Sequence, residues 1–221
     1  MTREAYRKAL EGLKEELLEM GNMVSKAVRE SVEQLKKRDL EGSKKLIKGD
    51  LLINKKRFEI EDRCLYLIAT QQPMAGDLRV IAAILNIITD LERIGDHAEG
   101  IAKINIMIGK DPLVKPLIDI PRMADKAVSM LERSLKAFIE ADVDTAHSLC
   151  NEDDEVDALY EQVYRELIML MIENPKIIKG ATYLLWVAHN LERIADRVTN
   201  IAERIIFMVT GRMDEINVSK Y

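Results

Sequence analysis

Aromatic residues make up only 5% of this 221-residue chain, with a single tryptophan. Scarce aromatics alongside abundant Leu, Ala, Glu and Lys favour an all-helical protein. Five prolines and ten glycines leave room for few breaks. No stretch approaches the ~18 uninterrupted apolar residues of a membrane-spanning helix. The opening run MTREAYRKALEGLKEELLEM is amphipathic and carries acids throughout, unlike a signal or transit peptide. There is no excess of positive charge: the formal net charge is −5, which lowers the weight of a nucleic-acid-binding role. The two cysteines, Cys64 and Cys150, are widely separated, and no Cys-x-x-Cys exists to build a thiolate zinc site. They read as small buried hydrophobes in a reducing compartment, and the chain reads as cytoplasmic.

The breaks fall at Thr70–Gly76, Gly109–Pro121 and Glu173–Gly180, each of which contains proline. Asp39 and Asp142 each follow a helical pattern and suit the N-cap of the next helix. Between these marks apolar residues recur at three- and four-residue steps, as in Ile84, Ile88, Leu91, Gly95, Ala98 and Ala102. Six helices are predicted, at roughly 3–37, 40–70, 77–108, 120–140, 143–173 and 178–211. They divide into two sets of three. With a shift of 103, Val28, Ser31, Val32 and Leu35 meet Leu131, Ser134, Leu135 and Phe138, and Asp39, Leu46 and Asp50 meet Asp142, Leu149 and Asp153. After the second break the shift becomes 100, so the second half has a loop about three residues shorter. The fold class expected is all-α, two tandem three-helix bundles related by an internal repeat, over 1–110 and 111–221.

The repeat is clearest between DLERIGDHAEGIA (Asp90–Ala102) and NLERIADRVTNIA (Asn190–Ala202). A packed core explains the shared Leu, Ile and Ala, but not the shared Glu, Arg and Asp. Helical spacing puts Glu92, Asp96 and Glu99 on the flank of the apolar stripe, and Arg93 and His97 on the solvent side. Glu92 and Asp96 are four apart, where like charges repel by about 0.2–0.5 kcal/mol in an isolated helix. On the preceding helix Asp50 and Asn54 lie on a similar flank. The second half carries Asp153 and Asp157, then Glu192 and Asp196. Each half thus presents two oxygen-bearing pairs on consecutive helices, a donor set that suits hard cations. Iron, manganese and magnesium fit such ligands, while zinc usually prefers His or Cys. The plain alternative is a solvated acidic face, with Glu92 or Glu192 paired to an arginine such as Arg79. His97, His147 and His189 occupy unmatched places, and no Glu precedes a His by three, which argues against a ferritin-like di-iron site. No phosphate loop, nucleophile elbow or Cys–His pairing is evident, so no enzyme activity is expected.

These residues resemble the PhoU family of phosphate-transport regulators. The resemblance covers nearly the whole chain and rests on QQPMAGDLR (Gln71–Arg79), IKGDLLINKKRFEIE (Ile47–Glu61), and the two LERI-x-D segments. The second half lacks the Pro-x-x-x-Asp-Leu-Arg run, having KIIKGATYLL (Lys176–Leu185) in its place. The resemblance implies two three-helix bundles binding metal clusters, with iron, manganese, magnesium or zinc as the candidate ions. It assigns the metal motifs to Glu92, Asp96, Glu192 and Asp196, with Asp50, Asn54, Asp153 and Asp157 on the preceding helices. It further implies a negative regulator of phosphate uptake and of the phosphate-starvation regulon. Such an adaptor would link the ATPase subunit of an ATP-binding-cassette phosphate transporter to a phosphate-sensing histidine kinase. It would sit at the inner membrane through those partners, without inserting, and a homodimer is a further assembly to consider. The alternatives are a metal-dependent hydrolase and a metal-free helical scaffold.

Overall fold

The computed structural model describes residues 3–212. Six long helices account for nearly all of them, and no strand occurs among the described residues. They are α1 (Arg3–Lys37), α2 (Leu40–Gln71), α3 (Ala75–Ile108), α4 (Asp119–Glu140), α5 (Val143–Glu173) and α6 (Ile178–Thr210). A single 3-10 turn, Pro175–Ile177, precedes α6. The predicted boundaries hold to within two residues. Pro73 lies just before α3, and the helix begins two residues earlier than expected, at Ala75. The three residues 72–74 between α2 and α3 have no counterpart in the second half, where Asn174 alone precedes the turn.

The first joint of each repeat is built alike. Arg38 and Ala141 adopt left-handed φ of 59° and 54°. The following Asp39 and Asp142 cap the next helix, accepting from Gly42 N–H at 2.8 Å and Thr145 N–H at 3.0 Å. Neither left-handed residue is glycine, which costs about 1–2 kcal/mol each. In the first repeat the Arg38 side chain supplies contacts that offset this. Its guanidinium donates to Asn105 Oδ1 at 2.9 Å, Gly109 O at 2.6 Å and Asp111 O at 3.1 Å. Asn105 is fully buried, and its amide donates to Gln34 O, Asp39 O and Ser43 Oγ at 3.1, 3.3 and 2.9 Å. These bonds tie the α1–α2 joint to the end of α3 and to the linker between repeats.

The third helix of each repeat is central: α3 and α6 pack along each other and against the other two helices of their own repeats. The first helices, α1 and α4, also pack together, so one continuous apolar core spans both repeats. Two polar contacts hold the α3–α6 seam in places related by the hundred-residue shift. Asp90 on α3 accepts from Arg197 and Asn200 on α6, each at 3.4 Å. Asn190, the counterpart of Asp90, meets His97 Nδ1 at 2.9 Å. A Cβ at Gly100 would stand 3.1 Å from Asn190 Oδ1, so that position leaves room for the amide. His97 is therefore half-buried against α6, and not on the solvent side as its helical position alone implied. Both cysteines are buried and free, and burial first of all pushes the Cys64 thiol up to about 12 and the Cys150 thiol up to about 11.

The Asn105 hub makes a direct prediction. Asn105→Ala removes a buried amide with several partners and should lower the unfolding free energy by roughly 2–3 kcal/mol. Chemical denaturation reads this as a shifted midpoint with an unchanged slope. A change within about 0.5 kcal/mol, the range of an ordinary surface substitution, would show that the hub carries no stability.

Candidate metal centre

Each candidate site lies where the second helix of a repeat runs beside the third. In the first repeat Asp50 is only 8% exposed and Asn54 lies one turn on. The Asn54 amide donates to Asp50 Oδ2 at 2.9 Å. Asp50 Oδ1 and Asn54 Oδ1 are buried and accept no hydrogen bond. Gly95 on α3 lets Asp50 approach, because a Cβ there would stand 3.3 Å from Asp50 Oδ1. The carboxyl of Asp50 is held above the usual range, mostly by burial, then by the charges of Glu99, Asp96 and Glu92, against the hydrogen bond from Asn54. The predicted first-repeat residues are thus brought into one electrostatic neighbourhood. A groove of about 480 Å³ between α1 and α2, lined in part by Gln34, Leu46, Ile53 and Gly95, leads to Asp50.

The second repeat repeats the arrangement with more negative charge. Asp153 and Glu192 are each 3% exposed, with Asp157 and Asp196 less deeply placed. The Asp157 carboxyl is raised by burial first, then by Glu192 and Asp154, with Arg193 opposing. The Asp196 carboxyl is raised by burial, then by Glu192, with Arg193 again opposing and Asp157 adding to the rise.

The arginine of each motif turns back onto its own acids, where helical position alone had put Arg93 among the solvent-facing residues. Arg193 Nε and Nη2 donate to the two oxygens of Glu192, both at 2.7 Å, and Arg193 Nη1 lies 2.9 Å from Asp196 Oδ2. In the first repeat Arg93 Nε lies 3.5 Å from Glu92 Oε2 and Nη1 donates to Asp96 Oδ2 at 3.0 Å. Each arginine therefore bridges its acid pair and offsets the repulsion. Arg79, the expected alternative partner, instead donates to Met208 O at 3.3 Å, at the end of α6.

The donors fit a hard cation: oxygens only, two of them buried without a hydrogen-bond donor, and several raised carboxyls that a positive charge would relieve. Among the described residues, however, no three His, Cys, Asp or Glu side chains are grouped so as to hold a metal as they stand. Binding would require the acids to leave their arginines. Glu99, which pairs with Lys103 at 2.6 Å, joins the first neighbourhood although the predicted ligand set omitted it. Its place three residues after Asp96 was the visible signal. Its counterpart is Thr199, so the two sites differ in that position.

A duplicated six-helix protein with one acid–arginine–acid bridge per repeat is the class that this fold and site define. The chain belongs to the PhoU family: the PhoU domain model matches residues 17–104 and 120–205, once per repeat. It is 39% identical over 218 residues to the phosphate-specific transport system accessory protein PhoU homolog of Clostridium acetobutylicum, covering 98% of this chain and all of that one. The protein of the same description from Aquifex aeolicus is 40% identical over 206 residues, covering 93% of each. The crystal structure of PhoU from Pseudomonas aeruginosa superposes with a TM-score of 0.89 at 33% identity, covering 94% of this chain and all of that one. The PhoU structure from Streptococcus pneumoniae gives the same TM-score at 30% identity, covering 95% of this chain and 99% of that one.

The raised carboxyl of Asp50 makes a prediction with a definite sign. An acid whose native pKa lies above its unfolded value opposes folding once it is ionised. Asp50→Asn removes the charge and keeps an oxygen for Asn54. In chelator, the variant should be more stable than the parent at neutral pH. The gain should shrink as pH falls through the native pKa and vanish below about 4, the ordinary aspartate value, where Asp50 is protonated in both states. Urea titrations across this pH range check it, and an Asp50→Asn variant less stable at neutral pH would contradict it.

Proposed function

We propose that the chain is an accessory protein of phosphate transport, the role that its relatives' names state for them, and that it acts without catalysis of its own. It restrains high-affinity phosphate uptake and the phosphate-starvation regulon when phosphate is plentiful. Its partners are the ATPase subunit of an ATP-binding-cassette phosphate transporter and a phosphate-sensing histidine kinase, and it works at the cytoplasmic face of the membrane through them. Among the described residues no helix is long and apolar enough to cross a membrane, which supports attachment through partners.

Metal binding is the second half of the proposal. The observation that carries it is the buried, unpaired Asp50 Oδ1 beside three further carboxylates. Asp50, Asn54, Glu92 and Asp96 would hold the first ion or cluster, and Asp153, Asp157, Glu192 and Asp196 the second. Iron, manganese and magnesium suit these ligands better than zinc. With Asn54 in place of an acid, the first site has one charge fewer than the second. The bridging arginines favour a competing reading, a metal-free scaffold in which Arg93 and Arg193 neutralise the pairs permanently.

Metal analysis separates these readings. Glu92→Ala/Asp96→Ala and Glu192→Ala/Asp196→Ala should each lower the metal bound per chain while the helical content stays unchanged. Equal metal content in parent and both variants would favour the scaffold. The metal-loaded protein should turn over neither phosphate esters nor nucleotides. A turnover that rises with metal occupancy and disappears in Glu92→Ala would establish a hydrolase instead.

The adaptor role has its own test. Deleting the gene should leave phosphate-starvation genes switched on in rich phosphate, and normal repression there would count against the regulatory reading. In cell fractionation the protein should leave the membranes when transporter and kinase are both removed. Retention on such membranes would point to direct lipid binding.

A further inference from the structure

The seam between α1 and α2 opens into a groove of about 480 Å³, a size ordinary for a small-molecule site. Ala27, Leu46 and Ile53 line it, so its middle is hydrocarbon. Two residues of the lining hold a buried oxygen that accepts no hydrogen bond: Gln34 Oε1 toward one end and Asp50 Oδ1 toward the other. Buried polar atoms are normally partnered, so two such acceptors on one groove call for donors from outside the chain. Gln34 lies beside Gly42, where a Cβ would stand 3.1 Å from its Cδ. From Gly42 to Asp50 is eight residues of α2, about 12 Å of helix.

The repeat gives an internal control. Gly49 lines the groove from the interior of α2, where glycine costs stability. A Cβ there would meet nothing within 4 Å, so no close neighbour demands glycine. With the shift of 103 its counterpart is Glu152, so the helix does not demand glycine either. In the second repeat Glu152 accepts from Arg133, and Glu155 from Lys126, so ion pairs cross the α4–α5 seam. The counterparts of these four residues are Gly49, Glu30, Leu52 and Met23, which cannot cross the first seam in that way. The counterpart of Gln34 is Ala137, so the second repeat lacks that acceptor as well.

The lining lysines, Lys26, Lys37 and Lys45, are all exposed, and the first two pair with Glu30 and Glu33. Asp50 is the one buried charge of the groove, and Glu92, Asp96 and Glu99 add negative potential at its end. A lone metal ion at Asp50 would leave Gln34 and the hydrocarbon walls unused. A donor at each end with methylenes between them matches all three. We propose that the groove binds an elongated aliphatic polyamine, with one terminal ammonium donating to Asp50 Oδ1, the other to Gln34 Oε1, and the chain along Leu46 and Ile53. The proposal does not rest on the metal reading, although an ion and an ammonium would compete for Asp50.

Isothermal titration calorimetry on the full chain, in chelator and at physiological salt, tests it. The probes are spermidine and two diamines of equal charge, α,ω-diaminobutane and α,ω-diaminooctane. Spermidine and diaminooctane should bind, and diaminobutane, too short to reach both oxygens, should bind at least about tenfold more weakly. Gly49→Leu puts a side chain into the groove and should abolish binding with unchanged helical content. Gly49 is no proposed metal ligand, so this variant tests the groove apart from the metal reading. Gln34→Glu should tighten spermidine by about tenfold, because a neutral acceptor becomes a charged one. A parent that binds no spermidine overturns the proposal. So does equal affinity for the two diamines, as plain attraction to an acidic surface would give, or binding that survives Gly49→Leu, or a Gln34→Glu variant that binds more weakly than the parent.

Discussion

Helices α3 and α6 are buried on nearly every side, and that constraint orders the rest of the protein. Each packs on its partner and on two further helices of its own repeat, so most of its circumference must be hydrocarbon. The runs of Ile and Ala in both segments meet that demand. Polar side chains on these helices are left the seam between α3 and α6, the narrow flank beside α2 or α5, and a thin exposed stripe that on α3 carries Asn86, Thr89, Arg93 and Lys103. The seam takes Asp90, His97, Asn190, Arg197 and Asn200, which satisfy one another. The flank takes the acid pairs. Carboxylates placed there are partly desolvated by the same packing that stabilises the fold, and this is the leading cause of the raised Asp50, Asp157 and Asp196.

Duplication separates what the fold needs from what it merely tolerates. The αL residue followed by a capping aspartate occurs in both repeats because each two-residue joint must reverse the chain and cap a helix. The acid–arginine–acid bridge also occurs twice, although the core gains nothing from its charges. The Asn105 hub occurs once, since its counterpart is Ile205 and that of Arg38 is Ala141. The hub sits where the linker between repeats leaves α3, a junction that exists only once in the chain. Its uniqueness follows from topology.

Element boundaries and the repeat were legible because they rest on local signals: prolines, capping aspartates and the period of the apolar stripe. The grouping of the first-repeat acids was legible because helical spacing and a short antiparallel joint bring α2 beside α3. Three features were not. Arg93 leaves the helix toward solvent, but its side chain is long enough to return to Glu92 and Asp96, and backbone angle does not determine where a guanidinium ends. His97 was placed by its own helix alone, whereas α6 covers that side of α3. The unpaired Oδ1 of Asp50 was illegible as well, since it depends on Gly95 and on a neighbour that Asn54 satisfies only in part.

The bridging arginines bear on how such a site can be both stable and available. A half-exposed arginine–carboxylate bridge contributes only about 0–1 kcal/mol to stability. The Arg93–Asp96 and Arg193–Asp196 contacts are exposed to that degree, so each offsets the repulsion of its acids without closing the site, while the Glu192 end of the second bridge is buried. A multivalent cation would meet several oxygens at once and relieve raised carboxyls that the arginine relieves incompletely. On the proposed metal reading, the arginine neutralises the empty site and yields when the ion arrives. The two repeats would differ in how readily this happens. Arg193 grips Glu192 through two bonds of 2.7 Å, while the nearest approach of Arg93 to Glu92 is 3.5 Å. Among the proposed ligands the second site has one more negative charge but the tighter arginine, and the first has Asn54 but the looser one, with Glu99 nearby. On that same reading, charge and competition among the proposed ligands would act in opposite directions across the duplication and would draw the cation affinities of the two repeats together.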